Sequence, residues 1–264
     1  MNIQRDISAA PLLASTSNNG VTHLRLNRPD KLNALSGALL DALQQALNTI
    51  AADPDARCVV ISGSGKAFCA GHDLAEMRGN SEEAHYRDLF ARCSKVMQSI
   101  VNLPIPVIAQ VHGIATAAGC QLVASCDLAI AARSARFAVS GINVGLFCST
   151  PAVALSRNVQ AKLAFDMLVT GEFISAETAL AYGLINQAVD DANLEAAVQA
   201  KVDTILHKDP AAVRYGKAMF QMQRTMALPD AYAFASDVMA RNITEQNTGE
   251  RIDAFIEKRA PRLS

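Results

Sequence analysis

Two short runs hold the residues best placed to do chemistry. One is Gly65-Lys66-Ala67-Phe68-Cys69-Ala70-Gly71-His72-Asp73-Leu74. The other is His112-Gly113-Ile114-Ala115-Thr116-Ala117-Ala118-Gly119-Cys120-Gln121-Leu122. Each follows a strand-like apolar run and precedes a helix-like one. Backbone N–H groups at a helix start have no internal partner, and the partial positive charge there suits a developing oxyanion. Small side chains (Ala70, Gly71, Ala117, Ala118, Gly119) let a ligand come close to the main chain. Converging segments of this kind can aim two N–H groups at one carbonyl oxygen, the apparatus for stabilising an enolate. Losing one such donor typically costs roughly 3–4 kcal/mol of barrier. Spacing alone does not separate this reading from ordinary tight strand-to-helix turns.

The elements that must position these runs follow from the apolar pattern. Val21–Leu26 alternates as a half-buried strand does. Ser36 reads as an N-cap for a helix through Leu39, Leu40, Leu43, Leu47 and Ile50, stopped by Asp53-Pro54. Cys58–Ile61 is wholly apolar, as in a buried parallel strand. Ser81 with Glu82 and Glu83 opens a long helix through Ile100. Val107–Val111 and Leu128–Ala131 give two more strands. Alternating strands and helices imply parallel strands joined by right-handed crossovers, with ligands bound beyond the carboxyl ends of the strands. Further along, Thr150-Pro151 is expected to open a helix, Ser175 to open another that Gly183 closes, and Leu184–Val189 to form a short strand. From Asp191 the chain reads as helical, with breaks near Asp209-Pro210, Pro229 and Gly249. The expected organisation is a β/α core over 1–190 and a helical region over 191–264, together one structural unit.

The 264 residues suffice for a large α/β domain with a helical extension, and half of them are hydrophobic. A net charge of −1 gives no electrostatic ground for nucleic acid or an anionic membrane. Absence of Trp argues against base-stacking platforms. Six scattered cysteines form no C-x-x-C pair, so no metal site is expected and a reducing compartment is. Pro11-Leu12-Leu13-Ala14 is too short for a secretory apolar segment, and no membrane span is expected. The expectation is a cytoplasmic protein.

The first run resembles the first oxyanion segment of the crotonase (enoyl-CoA hydratase/isomerase) superfamily, and Ala115 to Asp127 resembles its second. Asn27-Arg28-Pro29, Leu32-Asn33-Ala34-Leu35, Leu168–Gly171, Ile174-Ser175-Ala176 and Ala254–Arg259 are similar to further family segments in the same order. The resemblance implies an α/β fold with a crotonase-like ββα superhelix core and a helical C-terminal oligomerisation region, assembling as a homotrimer or a dimer of trimers. It implies a coenzyme A thioester as substrate, with no separate cofactor. The N–H groups of His72 and Ala118 would form the oxyanion hole. Ala70 would lie beside the adenine of coenzyme A, and Asp73, Leu74 and Ala75 along the acyl-pantetheine channel. Lys258 would reach a coenzyme A phosphate across a subunit contact.

Hydratases of the family use two glutamates to move protons, and here those positions hold Gln121 and Gly141. An amide can hold a water but cannot exchange a proton near neutral pH, so slow crotonyl-CoA hydration is expected. Ala70-Gly71-His72-Asp73 also resembles family decarboxylases, in which loss of carbon dioxide yields the enolate directly. The tyrosine of a bacterial methylmalonyl-CoA decarboxylase, however, falls near Cys148. Three readings therefore stand: an acyl-CoA enzyme acting through a thioester enolate, a malonyl-type decarboxylase, and a non-catalytic acyl-CoA binder. Asp73 reads as a cap before a base, Asp127 as a structural partner for a basic group, and His112 as structural. Cys148 reads as inert, while Ser140, Asn143, Ser149 and Thr150 could bond an acyl group or water.

Overall fold

The computed structural model describes residues 11–262; residues 1–10 and 263–264 of the two expected regions lie outside the described residues. The chain runs β1 (Leu13–Asn18), β2 (Val21–Leu26), α1 (Gly37–Ala52), β3 (Cys58–Gly63), α2 (Leu74–Arg78), α3 (Glu83–Asn102), β4 (Val107–Val111), β5 (Ile114–Thr116), α4 (Ala118–Ser125), β6 (Leu128–Ala132) and β7 (Arg136–Ala138). It continues through α5 (Ser149–Leu155), α6 (Ala161–Thr170), β8 (Ile174–Ser175), α7 (Ala176–Ala181), β9 (Gln187–Val189), α8 (Leu194–Leu206), α9 (Pro210–Gln223), α10 (Leu228–Ile243) and α11 (Gln246–Ile256).

The main sheet has the order β1-β2-β3-β4-β6-β9, parallel from β2 onward, with β1 antiparallel at its edge. The register aligns Leu24 with Ile61, Ile61 with Ala109 and Ala109 with Ala129. That row belongs to the larger core, where Leu39, Leu43 and Leu47 of α1 and Cys93, Val96 and Ile100 of α3 are also buried. The alternate residues, among them Cys58, Val60, Ile108 and Ile130, form a second core with Leu194, Val198 and Val202 of α8. Both faces of the parallel strands are covered, which is why they read as unbroken apolar runs. A smaller sheet, β5-β7-β8, stands beside the main one.

Local signals explain most element ends. Ser36 accepts the Leu39 N–H at the start of α1, Ser175 accepts that of Thr178 at α7, and Asp209 caps α9. Four expectations need correction. The helix near residue 150 begins at Ser149 on Cys148, placing Thr150 and Pro151 inside its first turn. Glu83 starts α3, and the Glu82 side chain makes no capping bond. The strand after α7 shrinks to Gln187–Val189, because the N–H groups of Leu184 and Ile185 are spent on Ala179 O at the helix end. Gly249 lies within α11; the chain breaks instead at Thr244 and Glu245, whose N–H groups close turns onto Arg241 and Asn242. No helix among the described residues is long and apolar enough to cross a membrane.

Candidate active site

The loop leaving β3 is built around Asn33, which is fully buried. Its amide donates to Ser64 O and Ala67 O, each at 2.8 Å, while its Oδ1 accepts the Arg28 N–H. His112 Nε2 lies 2.9 Å from Gly65 O and pins the same loop, the structural role its sequence position suggested. Farther on, Leu35 N donates to Gly71 O and Asp73 N donates to Leu35 O. These bonds form a parallel bridge centred on His72. In such a bridge the central residue's own N–H and C=O face the opposite edge. The His72 N–H therefore points away from Leu35 and has no acceptor among the described residues.

This corrects one expectation. His72 is not at a helix start, because Asp73 is the N-cap of α2, accepting the N–H groups of Ala75 and Glu76. A bridge edge, rather than a helix terminus, frees its N–H.

The second segment is clamped to the first. Cys69 N donates to Ile114 O and Thr116 N to Cys69 O. Ala117 then takes φ 50° and ψ −120°, a sparsely populated conformation for a residue with a Cβ. It gives its N–H to Ala138 O, and Ala118 becomes the first residue of α4, its own N–H without an acceptor among the described residues. Glycines allow the close approach. A Cβ on Gly71, whose φ is +93°, would lie 2.9 Å from Ala117 Cβ and 3.3 Å from Ala118 N, and one on Gly119 only 2.1 Å from Cys69 O.

Ala70, His72, Leu74 and Ala118 meet on one cavity of about 300 Å³. Met77 and Phe90 supply one apolar wall, and Val144, Leu146 and Phe147 another. Ala117, Ser140, Gly141, Cys148, Ser149, Thr150 and Pro151 complete the lining, which carries no carboxylate, lysine or arginine. A larger cavity of about 500 Å³ sits by Pro106 and Leu128, at the amino ends of β4 and β6, away from both loops.

Other expected site residues fall elsewhere. Asp73 is engaged as a cap and in a 2.9 Å ion pair with Arg28, which holds its carboxyl below the usual range. Ala75 is exposed on α2 and outside the cavity lining, as the turn of the helix carries it away from Leu74. Lys258 is exposed beyond the end of α11 and likewise outside the lining. Gln121 is 4 % exposed, one turn along α4 from Ala118, and its Oε1 has no partner. His72 Nε2 is also buried without a partner; the ring packs edge-on to Phe90 at 5.4 Å between centroids. Burial holds the His72 imidazole down to about 4, hence neutral at physiological pH.

Asp127 pairs with Lys217 at 2.7 Å, and the same ammonium donates to Ile100 O and Ile105 O. The pair joins α9 to the sheet and takes no part in the cavity that holds His72. All six cysteines are free. Burial raises the Cys148 thiol above its ordinary range and pushes Cys69, Cys93 and Cys120 to about 12, so they behave as small hydrophobes. Met77, Phe90, Leu146 and Phe147 had no local signal marking them as cavity walls; their apolar character fits a core equally well.

Residues 16–264 match the family profile described as Enoyl-CoA hydratase/isomerase. The chain is 44 % identical over 252 residues to the "Enoyl-CoA hydratase domain-containing protein 3, mitochondrial" of Rattus norvegicus, covering 95 % of this chain and 84 % of that one. A crystal structure titled as an enoyl-CoA hydratase of Mycobacterium smegmatis superposes with a TM-score of 0.95 at 56 % identity, covering 96 % of this chain and 99 % of that one. The human enoyl-CoA hydratase domain-containing protein 3 superposes at 0.92 with 42 % identity, covering 96 % and 100 %. The expected cytoplasmic location is overturned by the curated relatives, since the rat protein and four others of the same name are named mitochondrial. Scattered cysteines, from which a reducing compartment was expected, do not single out the cytosol.

Proposed function

This chain belongs to the enoyl-CoA hydratase/isomerase family, and from that premise we propose that it binds an acyl-CoA thioester in the cavity beside α4 and stabilises the enolate of its acyl group. The carrying observation is that two backbone N–H groups, of His72 and Ala118, lack internal acceptors and belong to residues lining one cavity. Donors preorganised at the position where charge develops are commonly the largest single catalytic contribution. In this reading Ala70 lies beside the adenine of coenzyme A, Leu74 borders the acyl-pantetheine channel, and coenzyme A is part of the substrate.

Ordinary hydration is slow in this reading. Water addition needs groups that activate the water and protonate carbon, and no lining residue is a carboxylic acid. Gln121 can hold a water or an acyl oxygen but cannot shuttle a proton. Gly141 is closed to a side chain, since a Cβ there would lie 2.5 Å from Leu146 O and 2.8 Å from Cys148 Sγ. The uncharged lining also keeps the decarboxylase reading in view, because decarboxylation of a malonyl-type thioester makes its enolate without a base.

For assembly we propose the trimer, or dimer of trimers, that the resemblance implies, with Lys258 reaching a coenzyme A phosphate in a neighbour. Supporting it, Leu228, Tyr232, Met239, Phe255 and Ile256 of α10 and α11 are each at least 69 % exposed.

The deciding experiment screens acyl-CoA thioesters by mass spectrometry, scoring both retention and conversion. Conversion of an enoyl or other non-malonyl ester supports the enolate reading. Carbon dioxide release from methylmalonyl-CoA selects the decarboxylase. Retention without turnover makes the protein a binder, and no retention of any ester refutes all three.

A further inference from the structure

The bridge to Leu35 sets the direction of the His72 N–H, so whatever fixes Leu35 fixes the proposed oxyanion donor. Leu35 reaches that place through an unfavourable turn. Leu32 and Asn33 both take left-handed backbone, with φ of 49° and 55°. Asparagine tolerates that conformation, whereas leucine adopts it at a cost. Leu32 is also 43 % exposed, so its side chain gains little from burial to offset the cost. What the turn achieves is backbone contact. Leu32 O accepts the Ala70 N–H, and Leu35 pairs with Gly71 and Asp73 on either side of His72. Strain of this kind persists where the surroundings over-determine it, and it gathers at functional sites.

Arg28 ties this turn down from both ends. Its backbone N–H donates to Asn33 Oδ1, and its backbone O accepts the N–H groups of Lys31 and Asn33. Its guanidinium donates through one nitrogen to Ala34 O, at 2.5 Å, and through another to Asp73 Oδ2, at 2.9 Å. Ala34 directly precedes Leu35, and Asp73 directly follows His72. One planar group therefore spans the bridge and fastens the two segments that form it. The side chain is 16 % exposed and lies outside the cavity lining. A lysine could not copy it, because a single ammonium has no rigid fork.

We infer that Arg28 is a positioning residue for the reaction: by clamping the 32–35 turn to Asp73, it fixes the direction of the His72 N–H toward the thioester oxygen. This rests on the oxyanion reading above and gives that reading a component outside the cavity. A tilted N–H harms an anion more than a neutral carbonyl, because a hydrogen bond to a charged acceptor is roughly twice as strong. Loss of Arg28 should therefore weaken enolate binding beyond its effect on a neutral ester.

Acetoacetyl-CoA titrated on the protein reports the apparent pKa of its bound enolate, and butyryl-CoA reports the affinity of a neutral ester. Arg28→Met should raise the enolate pKa by about one unit, a tenfold loss, while butyryl-CoA affinity falls by less than about threefold. Arg28→Lys, which keeps the charge but not the fork, should recover part of the loss. Asp73→Asn keeps a side chain able to cap α2 and removes the charge that Arg28 grips, so it should move the pKa in the same direction. Combining it with Arg28→Met should add little, as for two ends of one contact. Lys217→Met loosens the fold away from the cavity and should leave the enolate pKa at its wild-type value. A folded Arg28→Met protein with the wild-type pKa overturns the inference. An equal rise in Lys217→Met also overturns it, since the effect would then be one of general stability. Where Arg28→Met does not fold, Asp73→Asn carries the test: a raised pKa supports the inference and an unchanged one overturns it. A wild-type protein that leaves the enolate pKa at its value in water refutes the oxyanion reading itself, before any variant is made.

Discussion

Substituting Gly119 by alanine probes the proposed oxyanion geometry most directly. Its Cβ would sit 2.1 Å from Cys69 O and 2.8 Å from Cys69 C, against a floor of 3.0 Å for real Cβ contacts. The shortfall to Cys69 O is 3.0 − 2.1 = 0.9 Å, and the obstacle is backbone, so the two segments themselves must part. Moving one donor by that distance takes a hydrogen bond of about 2.9 Å out of range. The expected loss is that of one oxyanion donor, about 3 kcal/mol, or roughly 2 pKa units of a bound enolate. Acetoacetyl-CoA supplies the assay, because its enolate is read by ultraviolet absorbance and its apparent pKa reports how well the site holds the anion. Wild type should lower that pKa, and Gly119→Ala should return it most of the way to its value in water. Overpacking should also destabilise the fold by about 1–3 kcal/mol, so melting and circular dichroism accompany the titration. A folded Gly119→Ala protein that keeps the full enolate shift would refute the argument that these amides hold the oxygen.

Other outcomes follow from the same structure. His72 is held down to about 4, so between pH 6.5 and 4 the unfolded chain binds the extra proton and the folded one does not. Stability should therefore be complete above pH 6.5 and fall by about 3 kcal/mol as the pH drops to 4; urea melts across that window should lose this slope in His72→Phe. Lys217→Met leaves the largely buried Asp127 carboxylate without its counter-charge, with the Val107 N–H still donating to it, and should cost about 3 kcal/mol in chemical denaturation. Crotonyl-CoA hydration should run far below about 10 per second, and Gln121→Glu alone should not restore it, because position 141 has no space for a second carboxylate. Gly249→Ala, inside α11 with nothing within 4 Å of the new Cβ, should stabilise that helix by about 0.5–1 kcal/mol, visible as a higher melting temperature.

Much of the fold was legible one element at a time. Parallel strands buried on both faces must be apolar throughout, so Cys58–Ile61 and Val107–Val111 announced themselves, and Ser36 and Ser175 marked helix starts by a bond their own side chains make. The short strands β5, β7 and β8 were not legible. They pair across the chain, with Ala115 beside Phe137 and Ile174 beside Phe137, and two or three residues carry no periodicity. Gly249 misled for a related reason: glycine weakens a helix modestly, and the remaining turns of α11 outweigh it.

By itself the sequence determined the two segments, their order after β3 and β4, and the missing carboxylates at 121 and 141. Those are facts of residue type, and a proton cannot be moved by a group that is not there. Tertiary structure alone decided how the His72 N–H is freed, since that depends on Leu35 pairing across 37 positions to make a bridge. It also decided that Asp73 is occupied by Arg28, that Ala75 turns away from the cavity, and that Gln121 Oε1 and His72 Nε2 are buried without partners. Each of these is a relation between residues distant along the chain, set by where the packed sheet and helices bring the backbone together.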